Sequence, residues 1–223
     1  MEHNTNKTDN RERPLWEQRA MAFVTRSFRQ LWGKNNEEML AWLFNQGLSN
    51  PFVRTQLWGW NKHGQARNPA LWGIEPTDDT PALVLPQGIV VPYIVDKRLR
   101  KITIVNNETM EVPGGSHEPM VLGNQFKVIA LVPDCVDGLF LFQEKGEQLG
   151  VIIPCGPAAK EPLDAAAEKM LSNACTVLVF YKDSDRELPP PGQREIKYSG
   201  QTVALRYGHT RELPGLCDPF IKA

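Results

Sequence analysis

From Pro14 the chain settles into helical spacing. Trp16, Ala20, Phe23, Ser27 and Leu31 recur every three or four residues, which predicts an amphipathic helix over residues 14–32. Pro14 suits its first turn, and Gly33 ends it. A second, shorter helix is expected over 37–46, with Leu40, Leu43 and Phe44 turned inward and Gly47 as C-cap. Asn50 caps a third, which starts on Pro51 and runs to about Trp58. Residues 1–13 are polar and charged without apolar periodicity, and are expected to form a disordered tail.

The period changes after Pro76. Residues 76–86 are loop-like, and GIVVPYIV (88–95) and ITIV (102–105) then predict two strands. DKRLRK (96–101) is expected to be the tip of their hairpin, and PGGS (113–116) a tight turn. Beyond it strand and helix alternate. KVIALV (127–132), LGVIIP (149–154) and TVLVFY (176–181) are continuously apolar, as strands buried on both faces should be. Helices are expected between them over 136–144 and 163–173. This β-α-β-α-β order predicts an α/β fold with a parallel sheet. ELPPPGQ (187–193) cannot be helical. EIKYSGQTVALRY (195–207) reads as a hairpin turning at Ser199-Gly200, and the residues after it as loop. The expected organisation is therefore a tail (1–13), a helical N-terminal unit (14–75), a β-rich segment (76–125), and an α/β domain (126–223) with a Pro-rich linker and a C-terminal hairpin.

With 223 residues, 41% of them hydrophobic, the chain can bury a sizeable core. A net charge of −1 gives no whole-chain nucleic-acid signature, so nucleic acid would need a local patch. Lys97, Arg98, Arg100 and Lys101 are the candidates for phosphate contact; the plain alternative is a solvated turn with edge-protecting charges. All six tryptophans lie within the first 72 residues. At helical spacing they read as core, and otherwise as a stacking platform for bases. Cys135, Cys155, Cys175 and Cys217 form no CxxC, so zinc is not expected. A polar N-terminus and the lack of any apolar run near 20 residues point to a reduced, cytoplasmic setting away from membranes. Neither GxGxxG nor GxxxxGK[ST] occurs.

The chemistry gathers at strand ends. If the first and third parallel strands are neighbours, their loops bring Asp134 and Asp137 to the same rim as Asp183 and Asp185. Converging carboxylates hold Mg²⁺ or Mn²⁺, which supports phosphoryl transfer. Asp134 and Asp137 also suit capping of the helix they precede.

VPDCVDGL (132–139) resembles the first Toprim signature, a strand followed by V-E-G-x-x-D-x-L. LVFYKDSD (178–185) resembles the second, a strand ending in D-x-D, and LGVIIPCGPAAKEP (149–162) the strand and loop between them. GIVVPYIVDKRLRKITIV, VPGGSHEPMVLG and WLFNQGLSNPFVRTQLWGWN are similar to segments upstream of Toprim in bacterial-type DNA primases, including those of phages and mobile elements. The likeness covers residues 16–185. It implies a Toprim-like parallel sheet preceded by the tryptophan-rich helices and the β-hairpin. In the family's frame the catalytic Glu falls on Pro133, the next Gly on Asp134 and the first Asp of D-x-D on Tyr181, while Asp137 and Asp183 match the other acidic positions. The zinc-binding module that precedes primase cores in the family is not expected here, since residues 1–13 carry no cysteine. The resemblance thus implies a degenerate, non-catalytic primase-like module that binds DNA, RNA or protein. One alternative is a Mg²⁺-dependent phosphoryl-transfer enzyme, of primase or nuclease type, using Asp137 and Asp183 with Asp134 or Asp185. The other is an interaction protein working through the tryptophan-rich helices or the Pro-rich stretch.

Overall fold

The computed structural model describes residues 13–77, 81–106, 109–123, 126–154, 165–182 and 201–222. Residues 1–12 of the expected tail, Cys155, Asp183, Asp185, the triple proline and the first arm of the C-terminal hairpin lie outside them. The chain divides into two compact units, one drawn from Met1–Met39 and Val53–Ser116, the other from Leu40–Phe52 and His117–Ala223.

The helices at the start are α1 (Leu15–Leu31), α2 (Glu37–Asn45) and α3 (Asn50–Thr55). In α2 Leu43 is fully buried, but Phe44 is exposed rather than inward. Neighbouring helical residues point about 100° apart, and a nine-residue helix offers one narrow buried stripe, which Leu43 takes. α3 stops at Thr55, short of Trp58, and Leu57 then turns into the left-handed region (φ 57°).

In the first unit follow β1 (Gly59–Asn61), β2 (Gln65–Arg67), β3 (Leu83–Leu85), β4 (Gly88–Val95), β5 (Arg98–Val105) and β6 (Thr109–Glu111). β1, β4, β5 and β6 form one antiparallel sheet in that order, and β2 pairs with β3. α1 lays Trp16, Ala20, Phe23 and Val24 into a core with Trp72, Leu85, Leu99, Ile102 and Ile104. The approach of α1 to β1 is close: a Cβ on Gly59 would stand 2.4 Å from the backbone of Ser27 and Phe28. Trp16, Trp58 and Trp72 are buried, and Trp32, Trp42 and Trp60 are half-buried. The Trp16 indole donates to the Pro113 carbonyl at 2.7 Å. The β4–β5 tip is shorter than expected. Asp96 and Lys97 alone make the turn, both left-handed (φ 49° and 62°), as two-residue hairpins require. Arg98, Arg100 and Lys101 therefore belong to β5.

The second unit holds β7 (Met120–Leu122), β8 (Val128–Leu131), α4 (Cys135–Lys145), β9 (Gly150–Ile153), α5 (Ala165–Ser172), β10 (Thr176–Lys182), β11 (Gln201–Tyr207) and α6 (Leu213–Ile221). The sheet order is β11-β10-β8-β9-β7. β11, β10, β8 and β9 run parallel, and β7 is antiparallel at the edge. The first and third strands of the expected β-α-β-α-β run, β8 and β10, are neighbours. α5 covers one face with Ala167, Met170 and Leu171 against Ile129, Ile152, Val177 and Val179.

Two expectations about the C-terminus change. The strand read as the second arm of a hairpin joins β10 in parallel along its whole length. The residues read as loop form a 3-10 turn (Thr210–Glu212) and then α6. Pro214, Gly215 and Pro219 read as helix breakers. Pro214 is tolerated in the first turn, and burial of Leu213 and Cys217 holds the rest despite Pro219. Lys145 on α4 pairs with Asp218 on α6 at 2.7 Å.

Candidate functional site

Parallel strands deliver their C-terminal ends to one edge of the sheet, where open α/β folds place ligands. Here β8 leads through Val132 and Pro133 into α4, β10 ends on Lys182, and β11 ends on Tyr207. Register places Lys182 beside Tyr207.

Asp134 is the N-cap of α4. Its Oδ1 accepts from the backbone N–H groups of Val136 (2.8 Å) and Asp137 (3.0 Å), satisfying donors that the first helical turn leaves open. Burial, with the Asp137 charge beside it, pushes its carboxyl above the ordinary range; the two N–H bonds and the Lys182 charge oppose this without cancelling it.

Asp137 stands one turn on and is only 2% exposed. Its Oδ2 accepts from the Tyr207 hydroxyl at 2.8 Å, and its Oδ1 from the Thr210 hydroxyl at 2.5 Å. The Lys182 ammonium lies 3.4 Å from Oδ2. Tyr207 and Thr210 are themselves buried, and the Tyr207 ring packs edge-on against Phe180 at 5.9 Å. A buried carboxylate needs a counter-charge and hydrogen-bond donors, and Asp137 has both from the protein.

Of the four carboxylates named from sequence, the structure brings Asp134 and Asp137 to one turn; Asp183 and Asp185 fall outside the described residues. Asp137, as the structure holds it, does not fit a Mg²⁺ ion. Mg²⁺ keeps several of its waters and needs open carboxylate oxygens. Asp137 is enclosed, hydrogen-bonded at both oxygens and already faces a cation. Pro133 has no side-chain ligand to offer. Among the described residues no group of three or more His, Cys, Asp or Glu is placed to hold a metal.

Lys182, Tyr207 and Thr210 were not singled out in the sequence. Lys182 sits inside the quoted LVFYKDSD segment, so its position beside the acid loop was available; the other two lay in stretches read as hairpin and loop.

The basic candidates lie on the first unit. Lys97, at the turn, and Arg100 are exposed. Arg98 is held by Glu17 of α1, with Nε 3.0 and 2.8 Å from its carboxylate oxygens. Lys101 is 1% exposed and lies 3.6 Å from Glu111. Burial alone would raise the Glu17 carboxyl, but its bonds from Arg98 and the Leu99 N–H, with the Arg98 and Arg13 charges, hold it below its ordinary range. Cys135, Cys175 and Cys217 form no disulfide, and burial pushes the Cys217 thiol up to about 12, which keeps it protonated at neutral pH. No helix among the described residues is long and apolar enough to cross a membrane.

The chain matches no family model and no curated protein by sequence. By structure it is similar to a DNA primase domain from Pseudomonas aeruginosa (TM-score 0.61, 10% identity, 92% of this chain and 74% of that one). The RNA polymerase domain of Mycobacterium tuberculosis primase DnaG, in complex with a double-stranded DNA oligomer with an overhang, gives 0.61 at 10% identity (94% and 79%). A DnaG primase catalytic domain bound to single-stranded DNA gives 0.56 at 11% identity (92% and 77%). At such identities the likeness is one of architecture, and the protein has the α/β, parallel-sheet fold of DnaG-type primase catalytic domains.

Proposed function

We propose that this chain is a primase-fold protein that has lost primer-synthesis chemistry and serves as a nucleic-acid-binding module in the cytoplasm, within a phage or mobile-element context. The observation that carries the first part is Asp137. It occupies a position where the Toprim signature has an acid, yet its carboxylate is consumed by Tyr207, Thr210 and Lys182. Pro133, at the position of the signature's Glu, can neither shuttle a proton nor bind a metal. Loss of a general acid–base group alone costs about a hundredfold or more in rate. The nucleic-acid part is supported by similar domains bound to single- and double-stranded DNA. It is also supported by exposed cations at Lys97 and Arg100, while Arg98 and Lys101 serve the fold through their ion pairs.

The test has two readouts. The purified chain is incubated with template, nucleoside triphosphates and Mg²⁺ or Mn²⁺, and no incorporation or strand cleavage is expected. Binding of a labelled oligonucleotide is measured against salt, with affinity expected to fall steeply as salt rises. Incorporation or cleavage that is lost in Asp183→Asn would restore the enzymatic reading through Asp137, Asp183 and either Asp134 or Asp185. Absence of binding at low salt would favour a protein partner for the tryptophan-rich helices or the Pro-rich stretch.

A further inference from the structure

The outer face of α1 carries arginines with no acid to answer them. Taking about 100° and 1.5 Å per residue, Arg19, Arg26 and Arg29 fall within an arc of about 80° and span about 15 Å of helix. The buried residues Trp16, Ala20, Phe23, Ser27 and Leu31 occupy a different side. All three arginines are exposed. The one acid on α1, Glu17, is buried and taken by Arg98 and Arg13.

A second element extends this face. Arg26 and Arg67 both donate to a single acceptor, the Oε1 of Gln65 on β2, Arg26 at 3.4 Å. Two guanidinium groups thus converge on a neutral oxygen. Each keeps further N–H donors in a planar fork, the geometry that suits phosphate. Arg26 is also steadied by the Phe23 ring, 5.5 Å from its centroid. Among the described residues no carboxylate forms an ion pair with Arg19, Arg26, Arg29 or Arg67. Arginines that serve only solubility are usually interspersed with acids, and the one acid on α1 lies on its buried side.

We infer that Arg19, Arg26 and Arg29 of α1, with Arg67 of β2, form a track for the phosphates of a nucleic-acid strand, contacted without regard to base sequence. The inference rests on the nucleic-acid-binding reading above and gives it a site distinct from the β4–β5 hairpin. Polar helix-face contacts to phosphates fix position rather than sequence.

Fluorescence anisotropy of a labelled oligothymidine tests it on the full chain across a salt series. Glutamine is a good helix former, so the triple variant Arg19→Gln/Arg26→Gln/Arg29→Gln should keep the wild-type circular dichroism. Its affinity is expected to fall at least about tenfold at about 50 mM salt, and its salt slope to flatten by about 2, close to 0.7 per lost phosphate contact. The triple lysine variant, which keeps the charge, should keep the slope. Arg29→Gln alone should flatten it by about 0.7, and guards against a fold defect in the triple variant. If the wild type binds and the glutamine variants bind with the same affinity and slope, the track is wrong while nucleic-acid binding stands. If the wild type binds no oligonucleotide at low salt, the broader reading fails and takes the track with it.

Discussion

At the scale of single residues, two aspartates a turn apart do different work. Asp137 is a buried anion held by two hydroxyls and an ammonium, so its removal strands the hydroxyls. Asp137→Ala should destabilise the protein by about 2 kcal/mol, because it takes their acceptor from the buried Tyr207 and Thr210 hydroxyls while the Lys182 ammonium can turn to solvent, and Tyr207→Phe by about 1 kcal/mol, both read from urea unfolding. Asp134 charges only at a cost in the folded state, because its carboxyl is raised above its ordinary 3.8. That cost is absent at low pH, where the group is protonated folded or unfolded, and appears as pH rises through 3.8 and the raised folded value. Asparagine caps as well as aspartate. Asp134→Asn should therefore be more stable than wild type at neutral pH and indistinguishable from it at about pH 3. Both acids were legible in the sequence, as were the proline at the expected base position and the capping role. The clamp was not, because Tyr207 and Thr210 lie 70 and 73 residues from Asp137 and meet it only through sheet order.

At the scale of elements, the apolar packing of α1 on the β4–β5 hairpin is joined by a polar link through the Glu17 carboxylate. Glu17 accepts from the Arg98 side chain and from the Leu99 N–H at 3.2 Å, so a helix side chain completes a strand's hydrogen bonding. A carboxyl held below its ordinary value contributes stability above that value and loses it as pH falls through the ordinary 4.5 toward the lowered folded value. Glu17→Gln should lower the unfolding midpoint at neutral pH and flatten the acid limb of the stability curve; equal acid limbs would show that Glu17 carries none of it. The spacing of apolar residues along α1 was enough to place this helix to within a residue at each end. The hairpin was legible as two strands, but DKRLRK suggests a longer tip than the structure has, because five charged residues surround its one apolar position, the buried Leu99. Within it Lys101 is buried by its partner Glu111, a tertiary fact that polarity conceals. α6 was missed for the converse reason: its prolines and glycine signal a break, and its reward comes from burying Leu213 and Cys217.

At the scale of the whole molecule, the fold follows from pattern more than from identity. Continuous apolar strands separated by helices require a sheet covered on both faces, and β8, β9 and β10 obey this. The primase-like architecture persists at 10–11% identity because burial constrains character rather than residue. β11 extends the parallel sheet where a hairpin was expected, since alternation in sequence identifies a strand without naming its partner. That strand brings Tyr207 to the rim, within hydrogen-bond reach of Asp137. The most direct check is a calorimetric titration of the full chain with Mn²⁺, run in parallel on Asp137→Asn. The account predicts that the two isotherms coincide, with no heat that depends on Asp137. A stoichiometric binding signal in the wild type that disappears in Asp137→Asn would contradict it.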